Sequence, residues 1–527
     1  MIEPRSWFPA PDPGESTGNP TRQALRADIA DRLRITGGPG PARKNQGAVY
    51  TPWDLAAFVV DRALFFRKEG PGAPGTGHRL PRVLDPACGS GHFLVAAWSG
   101  IRGRWRGGPA PVECLAGIDI DPVAIARCAE VLALCSRLDE IELGCSPAVP
   151  ALRVGDALLD GLDGPWARAD LVVGNPPYVR VDRLAPDYRQ RLLARFGGVL
   201  QGKWDLYLCF LATWERWLAP GGILAFVTPN QYLLGTSAAK LRPELSQRLR
   251  IRLLLDCCGL PSFAGAIPPA AISIFENVVP RPGDRIQAGV CLPGREARVP
   301  PLLCDAAWGE VRQDAWREGL WSVFAPDPFT TWLGGLEAPT LGDLCDKIAE
   351  GDTQRREEAL ILPAERAPSD WLPAIRGRNI AAGDLTPTPD RLPPPASDAS
   401  RASRRVLIRD VAARLVAAAE RAPVRCLRTV YCAYPHDPTL CEPIAALLNT
   451  DLLTWIFLRL FYSSKMSPQA ANFRFQAQFL RHLPVLFPAD PRHLERPGDH
   501  VVEAYRVPEP YRAEIPALLT RLGALSG

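Results

Sequence analysis

The stretch RVLDPACGSGHFLVAAW, residues 82–98, decides the fold. A short apolar strand ends at Leu84, and Asp85 sits at its tip. Gly89 and Gly91 permit a tight turn with close backbone approach. Phe93, Leu94, Ala97 and Trp98 then recur at helical spacing. A strand that turns through glycines into a helix makes a nucleotide-type site at the C-terminal edge of an α/β sheet. It is not the dinucleotide fingerprint, because the third glycine of G-x-G-x-x-G would fall on Leu94.

Further strand-like runs lie on both sides of this turn. From about residue 46 to 280, RVLDPA, LAGIDI, LRVGDA, LVVGN, ILAFVTP and ISIFENVV are short apolar runs separated by helical patterns. That alternation predicts a mainly parallel α/β sheet. The second run ends in Asp119 and Ile120, and the third in Asp156. Asp121, followed by Pro122, is placed to cap the next helix. A carboxylate at Asp119 can bind both hydroxyls of a ribose, and one at Asp156 can accept from an adenine amino group. Successive strands ending in acids behind a glycine turn describe an adenosine pocket without a phosphate cradle. The cofactor that fits is S-adenosylmethionine rather than NAD or ATP.

The fourth run leads into GNPPY, residues 174–178. Asn175 precedes a proline, so its backbone is held extended. Pro176 has no N–H to compete for its own surroundings, and Pro177 stiffens the unit. The Asn175 side chain and the backbone after it offer two acceptors in a rigid frame, which suits an exocyclic amino group carrying two hydrogens. Tyr178 offers a face for stacking a planar ring. The lone pair of such an amino group is delocalised into its ring. Two acceptors can pull the nitrogen toward tetrahedral geometry, and positioning supplies the rest without a strong general base. A base inside a duplex reaches such a pocket only by flipping out, at a cost of roughly a few kcal/mol.

The chain has 527 residues, 47% hydrophobic and 22% charged, enough for several globular domains. A net charge of +4 imposes no global basic field, so any nucleic-acid reading must rest on local charge. The 14 cysteines form no C-x-x-C, and a zinc site or disulfide framework is not expected. No metal is expected. The N-terminus lacks a basic-then-apolar leader, and IAALLNTDLLTWIFLRLF is read as one largely buried helix rather than a membrane span. A cytoplasmic protein is expected.

With GAVYTP (47–52), DPACGSG, GIDIDP, VGDALL and NPPY in this order, the sequence resembles the gamma-group adenine-N6 DNA methyltransferases of TaqI type, a type II/IIG restriction-modification methylase family. The resemblance runs over most of the chain from about residue 46 onward. It implies a Rossmann-like S-adenosylmethionine-dependent methyltransferase domain, α/β in class, followed by a mixed α+β target-recognition domain. Carried over by motif, Thr51 and Tyr50 would line the methionine end of the cofactor, beside Asp85, Ala87, Gly89, Gly91, Asp119, Ile120 and Asp156. Asn175, Pro176, Pro177 and Tyr178 would hold the reacting base, and Phe263, by its spacing to the following strand, would be the second aromatic of the clamp.

The domains expected are an N-terminal arm with one helix (1–45), the catalytic domain (46–285), a connecting segment (286–340) and the recognition domain (341–527). WLPAIRGRNIAAG (371–383) and NFRFQAQFLRHLPV (472–485) resemble elements of the family's C-terminal half. Eight arginines against two acids lie between residues 401 and 428. Arg376, Arg378, Arg404, Arg405 and Arg409 are the candidate DNA contacts. Double-stranded DNA is the expected partner, and a separate restriction nuclease or defence-system subunit is the other partner class the resemblance allows; no membrane is expected. None of the six lysines has an acid two residues before it, so no cleavage is expected from this chain. The alternatives are a HemK-like protein-glutamine methyltransferase, an RNA adenine methyltransferase, and a DNA-binding subunit without activity.

Overall fold

The computed structural model describes residues 20–34, 51–69, 80–104, 110–160, 167–257, 269–292, 306–316, 319–351, 353, 355–394, 404–464, 472–494 and 498–522. Two compact units divide the chain, Met1–Val323 and Phe324–Gly527.

The first unit is built on one nine-stranded sheet. Its strands in chain order are β1 (Val83–Asp85), β2 (Leu115–Asp119), β3 (Ala151–Val154), β4 (Ala169–Gly174), β5 (Leu218–Pro229), β6 (Arg250–Asp256), β7 (Ala270–Glu276), β8 (Arg285–Val290) and β9 (Ala307–Arg312). Their order across the sheet is β3-β2-β1-β4-β5-β7-β6-β8-β9. The first five in that order run parallel, and β7 lies antiparallel between β5 and β6. The Rossmann-like α/β fold expected from the glycine turn is the fold observed. Its order reverses between β1 and β4, and the crevice outside such a reversal is where open α/β sheets bind ligands.

Burial explains the strands. All six residues of β4 are buried, and Leu171, Val172 and Val173 are completely so. Each such side chain stabilises the sheet by about 1.5–3 kcal/mol relative to exposure. Helices α1 (Pro20–Arg34), α2 (Trp53–Glu69), α3 (His92–Arg104) and α4 (Pro122–Leu143) belong to the same unit. Asp121 caps α4 as the sequence predicts, its carboxylate accepting from the Val123 N–H at 2.8 Å.

The helix expected in the N-terminal arm is present, and one boundary changes. The N-terminal arm contains a docked helix: Leu25, Ile29 and Leu33 of α1 are buried four residues apart, and Arg22 and Arg26 both reach Glu142 of α4 at 2.6 and 2.9 Å. The segment 286–340, expected to be a connector, supplies β8 and β9 to the catalytic sheet, and the division between units falls at Val323. β9 forms the sheet's edge with β8 inside it, and exposed polar residues interrupt both strands, so their sequence has no continuous apolar run.

The second unit is mixed α+β. One four-stranded sheet joins Cys345–Glu350, Val430–Pro435, Val406–Arg409 and Ala417–Ala419; another joins Leu362–Pro363, Asp390–Leu392, Leu372–Ile375 and Arg425–Cys426. The apolar stretch expected as one helix is two, Cys441–Leu448 and Asp451–Phe461. Thr450 starts the second by accepting from the Leu453 N–H, and the pair is bent by 78°. Among the described residues no single helix is long and apolar enough to cross a membrane.

Candidate active site

The C-terminal ends of β1, β2, β3 and β4 carry the residues the sequence singles out. Asp85 is buried at the tip of β1, where its Oδ1 accepts from the Ala87 N–H at 3.0 Å. A methyl group at Gly174 would lie 2.6 Å from that same oxygen, so only glycine lets the end of β4 pass Asp85. Burial drives the Asp85 carboxyl up to about 8, and the nearby Asp119 adds to the rise. The carboxyl is thus largely neutral at neutral pH without a cation beside it.

Asp119 shapes the glycine turn. One of its oxygens accepts from the Gly89 N–H at 2.8 Å, and the other from the Asp121 N–H at 2.9 Å. Gly91 has a φ of +95°, and a β-carbon there would meet Cys128 Sγ at 2.9 Å, so both backbone and space require glycine. Asp156 holds the turn after β3, accepting from the Leu158 and Leu159 N–H groups at 2.8 and 3.2 Å, and it also meets the Tyr188 hydroxyl. Two large apolar side chains stand exposed at these strand tips, Ile120 at 63% and Val154 at 51%. Acids with exposed aliphatic groups between them suit a ligand that has a cation, sugar hydroxyls and a flat heterocycle. S-adenosylmethionine has all three, so the residues present fit it.

Beyond β4, Pro176 is buried, and Asn175, Pro177 and Tyr178 are half-buried. The Asn175 amide is fixed by a bond the sequence does not reveal: Nδ2 donates to Thr51 Oγ1 at 2.9 Å. Nitrogen toward Thr51 turns the carbonyl Oδ1 to the other side of the amide. Thr51, expected beside the methionine end of the cofactor, therefore also holds the central asparagine. The Tyr178 hydroxyl donates to the Val227 carbonyl at 3.5 Å. Its ring meets Tyr207 edge-on at 6.2 Å, Tyr207 meets Tyr232 at 6.5 Å, and Tyr232 meets Trp321 at 5.9 Å. This aromatic backing was missed, because Tyr207 and Tyr232 lie in apolar runs with nothing to separate them from the core. Burial pushes the Tyr178 hydroxyl well above its ordinary value, so it stays protonated. Tyr50 and Phe263 lie outside the described residues.

The arginines of the second unit depart from expectation. Arg405, expected to contact DNA, is 1% exposed. It pairs bidentately with Glu420 at 2.8 and 3.2 Å, donates to the Val424 carbonyl at 2.8 Å and reaches the Tyr434 hydroxyl at 3.1 Å. It is a core fastener. Arg376 pairs with Asp390 at 2.9 Å, and Arg409 donates to the Val411 carbonyl at 2.9 Å. Arg378 and Arg404 are exposed. Of their neighbours, Arg425 is buried, Arg414 pairs with Asp451 at 3.0 Å, and Arg421 pairs with Glu442 at 2.8 Å.

Comparison with known proteins adds four findings. Residues 167–263 match the Eco57I restriction-modification methylase family profile. The chain is 33% identical over 236 residues to the Type II methyltransferase M.BanIII of Aneurinibacillus aneurinilyticus, covering 43% of this chain and 37% of that protein. It is 34% identical over 147 residues to the tRNA1(Val) (adenine(37)-N6)-methyltransferase of Porphyromonas gingivalis, covering 27% of this chain and 52% of that one. The chain thus spans about half or less of the length of these relatives. Among solved structures, that of the Type IIL restriction-modification enzyme MmeI in complex with DNA superposes with a TM-score of 0.53 at 13% identity, covering 90% of this chain and 68% of that one. This likeness is one of fold. The profile match falls on β4, the NPPY turn and the strands that follow, so this stretch is similar to the restriction-modification methylases.

Proposed function

We propose that the chain is an S-adenosylmethionine-dependent DNA methyltransferase of the gamma group, TaqI type, that methylates N6 of an adenine flipped from duplex DNA, in a restriction-modification or related defence setting. The observation that carries the reading is the oriented Asn175 amide, held by Thr51 at 2.9 Å beside the half-buried ring of Tyr178. Asp85, Ala87, Gly89, Gly91, Asp119, Ile120 and Asp156, with Thr51 and Tyr50, would hold the cofactor, which supplies an electrophilic methyl group on a sulfonium when bound.

Asn175 Oδ1 and the Pro176 carbonyl accept the two hydrogens of the adenine amino group. They would draw its lone pair out of conjugation, leaving the nitrogen ready to take up the methyl group that a bound cofactor would supply. Tyr178 stacks on the base and stays neutral, and the surplus proton on nitrogen leaves to water. Preorganised acceptors of this kind act without having to reorganise during the reaction. The second unit, with Arg378 and Arg404 exposed, would recognise the target sequence.

A second reading has one observation in its favour. The relative from Porphyromonas gingivalis carries a name that assigns it adenine N6 methylation in a tRNA. Incubation of the protein with methyl-labelled S-adenosylmethionine and equal masses of mixed-sequence duplex DNA and bulk tRNA separates the two. Label in DNA is expected. Label confined to tRNA would replace this reading with the second.

A further inference from the structure

We propose that the excursion after Tyr178, residues 179–206, is the surface on which the catalytic unit holds a nucleic-acid phosphate backbone, with Arg189, Arg191 and Lys203 making the contacts. This rests on the reading of the chain as a methyltransferase of duplex DNA and adds where that duplex is held.

The excursion leaves and returns beside the catalytic turn. Val181 N–H donates to the Trp204 carbonyl at 2.9 Å, Leu206 N–H donates to the Val179 carbonyl at 2.8 Å, and Arg180 and Asp205 face each other across an antiparallel bridge. This clasp fixes its root one residue from Tyr178. Within it, helix α5 (Pro186–Phe196) buries Leu192 and Phe196, and Leu200 beyond it is buried too. Tyr188 on the same helix meets Asp156 at the strand tips. The helix is therefore seated on the cofactor side of the unit, and its outer face is held in place.

That outer face is predominantly basic. Residues 179–206 hold six basic residues and three acids, of which Asp205 is half-buried at the clasp. Arg180 and Asp182 satisfy each other at 3.1 Å. Arg189, Arg191 and Lys203 are all exposed, and none forms an ion pair with a described residue. A helix face that is merely solvated usually mixes signs, and like charges along a helix weaken it slightly. Phosphate oxygens supply the missing negative charge. The arginine run of the second unit offers fewer free charges than its composition suggests, since Arg405 and Arg425 are buried and Arg414 and Arg421 are paired. Seated at the root of the catalytic turn, the basic face lies where the backbone flanking a flipped nucleotide must pass.

The test is the salt dependence of duplex binding by the full chain. Each lost phosphate contact lowers the slope of log K against log salt by about 0.9. Fluorescence anisotropy with a mixed-sequence duplex between 50 and 200 mM KCl is expected to show the slope of Arg189→Gln/Arg191→Gln/Lys203→Gln reduced by about 2–3. The single change Arg191→Gln should lower it by about 0.9. Cofactor affinity, measured by calorimetry, should be unchanged in both, which also confirms folding. The exposed Arg492→Gln serves as the control and should leave the slope unchanged. An unchanged slope in the triple variant, with wild type still methylating the duplex, overturns this inference and leaves the proposed function standing. An equal fall in the control also overturns it. Failure of the wild type to bind or methylate any duplex overturns the proposed function first.

Discussion

Replacing Thr51 by Val removes one hydroxyl and keeps the side chain's shape. Thr51 is 5% exposed, and its Oγ1 accepts from Asn175 Nδ2 at 2.9 Å. Valine removes that acceptor from a part-buried amide donor. The loss of such a partner costs about 1–3 kcal/mol. The amide can recover part of this by rotating through half a turn, which would present NH2 rather than C=O to the amino group of the base. If the cost falls on the reacting arrangement, the rate falls by roughly 5- to 150-fold, at about 1.4 kcal/mol per factor of ten. The assay is steady-state methyl transfer to duplex DNA, with kcat and the KM for S-adenosylmethionine measured separately. A fall in kcat with a nearly constant cofactor KM is expected. A raised cofactor KM with kcat intact would mean that Thr51 serves the methionine end of the cofactor alone, and the positioning argument would be wrong.

Arg405→Ala should destabilise the protein by about 3–5 kcal/mol, because it leaves Glu420 buried without its partner. Urea denaturation checks this, and a variant of native stability with weaker DNA binding would restore Arg405 to the DNA surface. Asp85 has its pKa raised to about 8 on folding, so the folded state holds its proton more tightly than the unfolded chain does. Its contribution to the stability of the cofactor-free protein is therefore present at low pH and lost as pH rises toward 8, with a slope of up to about 1.4 kcal/mol per pH unit. Thermal scans at pH 5 and pH 8 should show Asp85→Asn losing less stability than wild type over that interval; equal losses would contradict the buried-acid account. Gly174→Ala would push a methyl group to 2.6 Å from Asp85 Oδ1, and a lowered melting temperature with weaker cofactor binding is expected from scanning calorimetry and titration.

Much of the nine-stranded sheet was legible because most of its strands are short apolar runs, several of them ending at an acid or glycine. RVLDPA, LAGIDI, LRVGDA, LVVGN, ILAFVTP and ISIFENVV became β1 to β5 and β7. β8 and β9 were not legible, since exposed polar residues interrupt both and leave no continuous apolar run. The packing of α1 was hidden for a related reason: three apolar residues among many charges carry too weak a pattern until Glu142 supplies the partner for Arg22 and Arg26. Within the site, the strand-tip residues were legible as a set because each sits at a fixed offset from a strand end. Thr51's hold on Asn175 was not, since 124 residues separate the two and only the fold brings them together. The arginines show the converse failure. Composition counts charges, whereas burial and pairing decide which remain available, and Arg405 was spent in the core.

The most direct test of the central claim is the identity of the methylated product. The protein should be incubated with deuteromethyl-labelled S-adenosylmethionine and mixed-sequence duplex DNA, and the DNA digested to nucleosides for mass spectrometry, with Asn175→Ala run in parallel. Label in N6-methyladenine from the wild type, and little from a variant that still binds the cofactor, is the predicted result. Label in methylated cytosine, or equal N6-methyladenine from Asn175→Ala, would contradict the account.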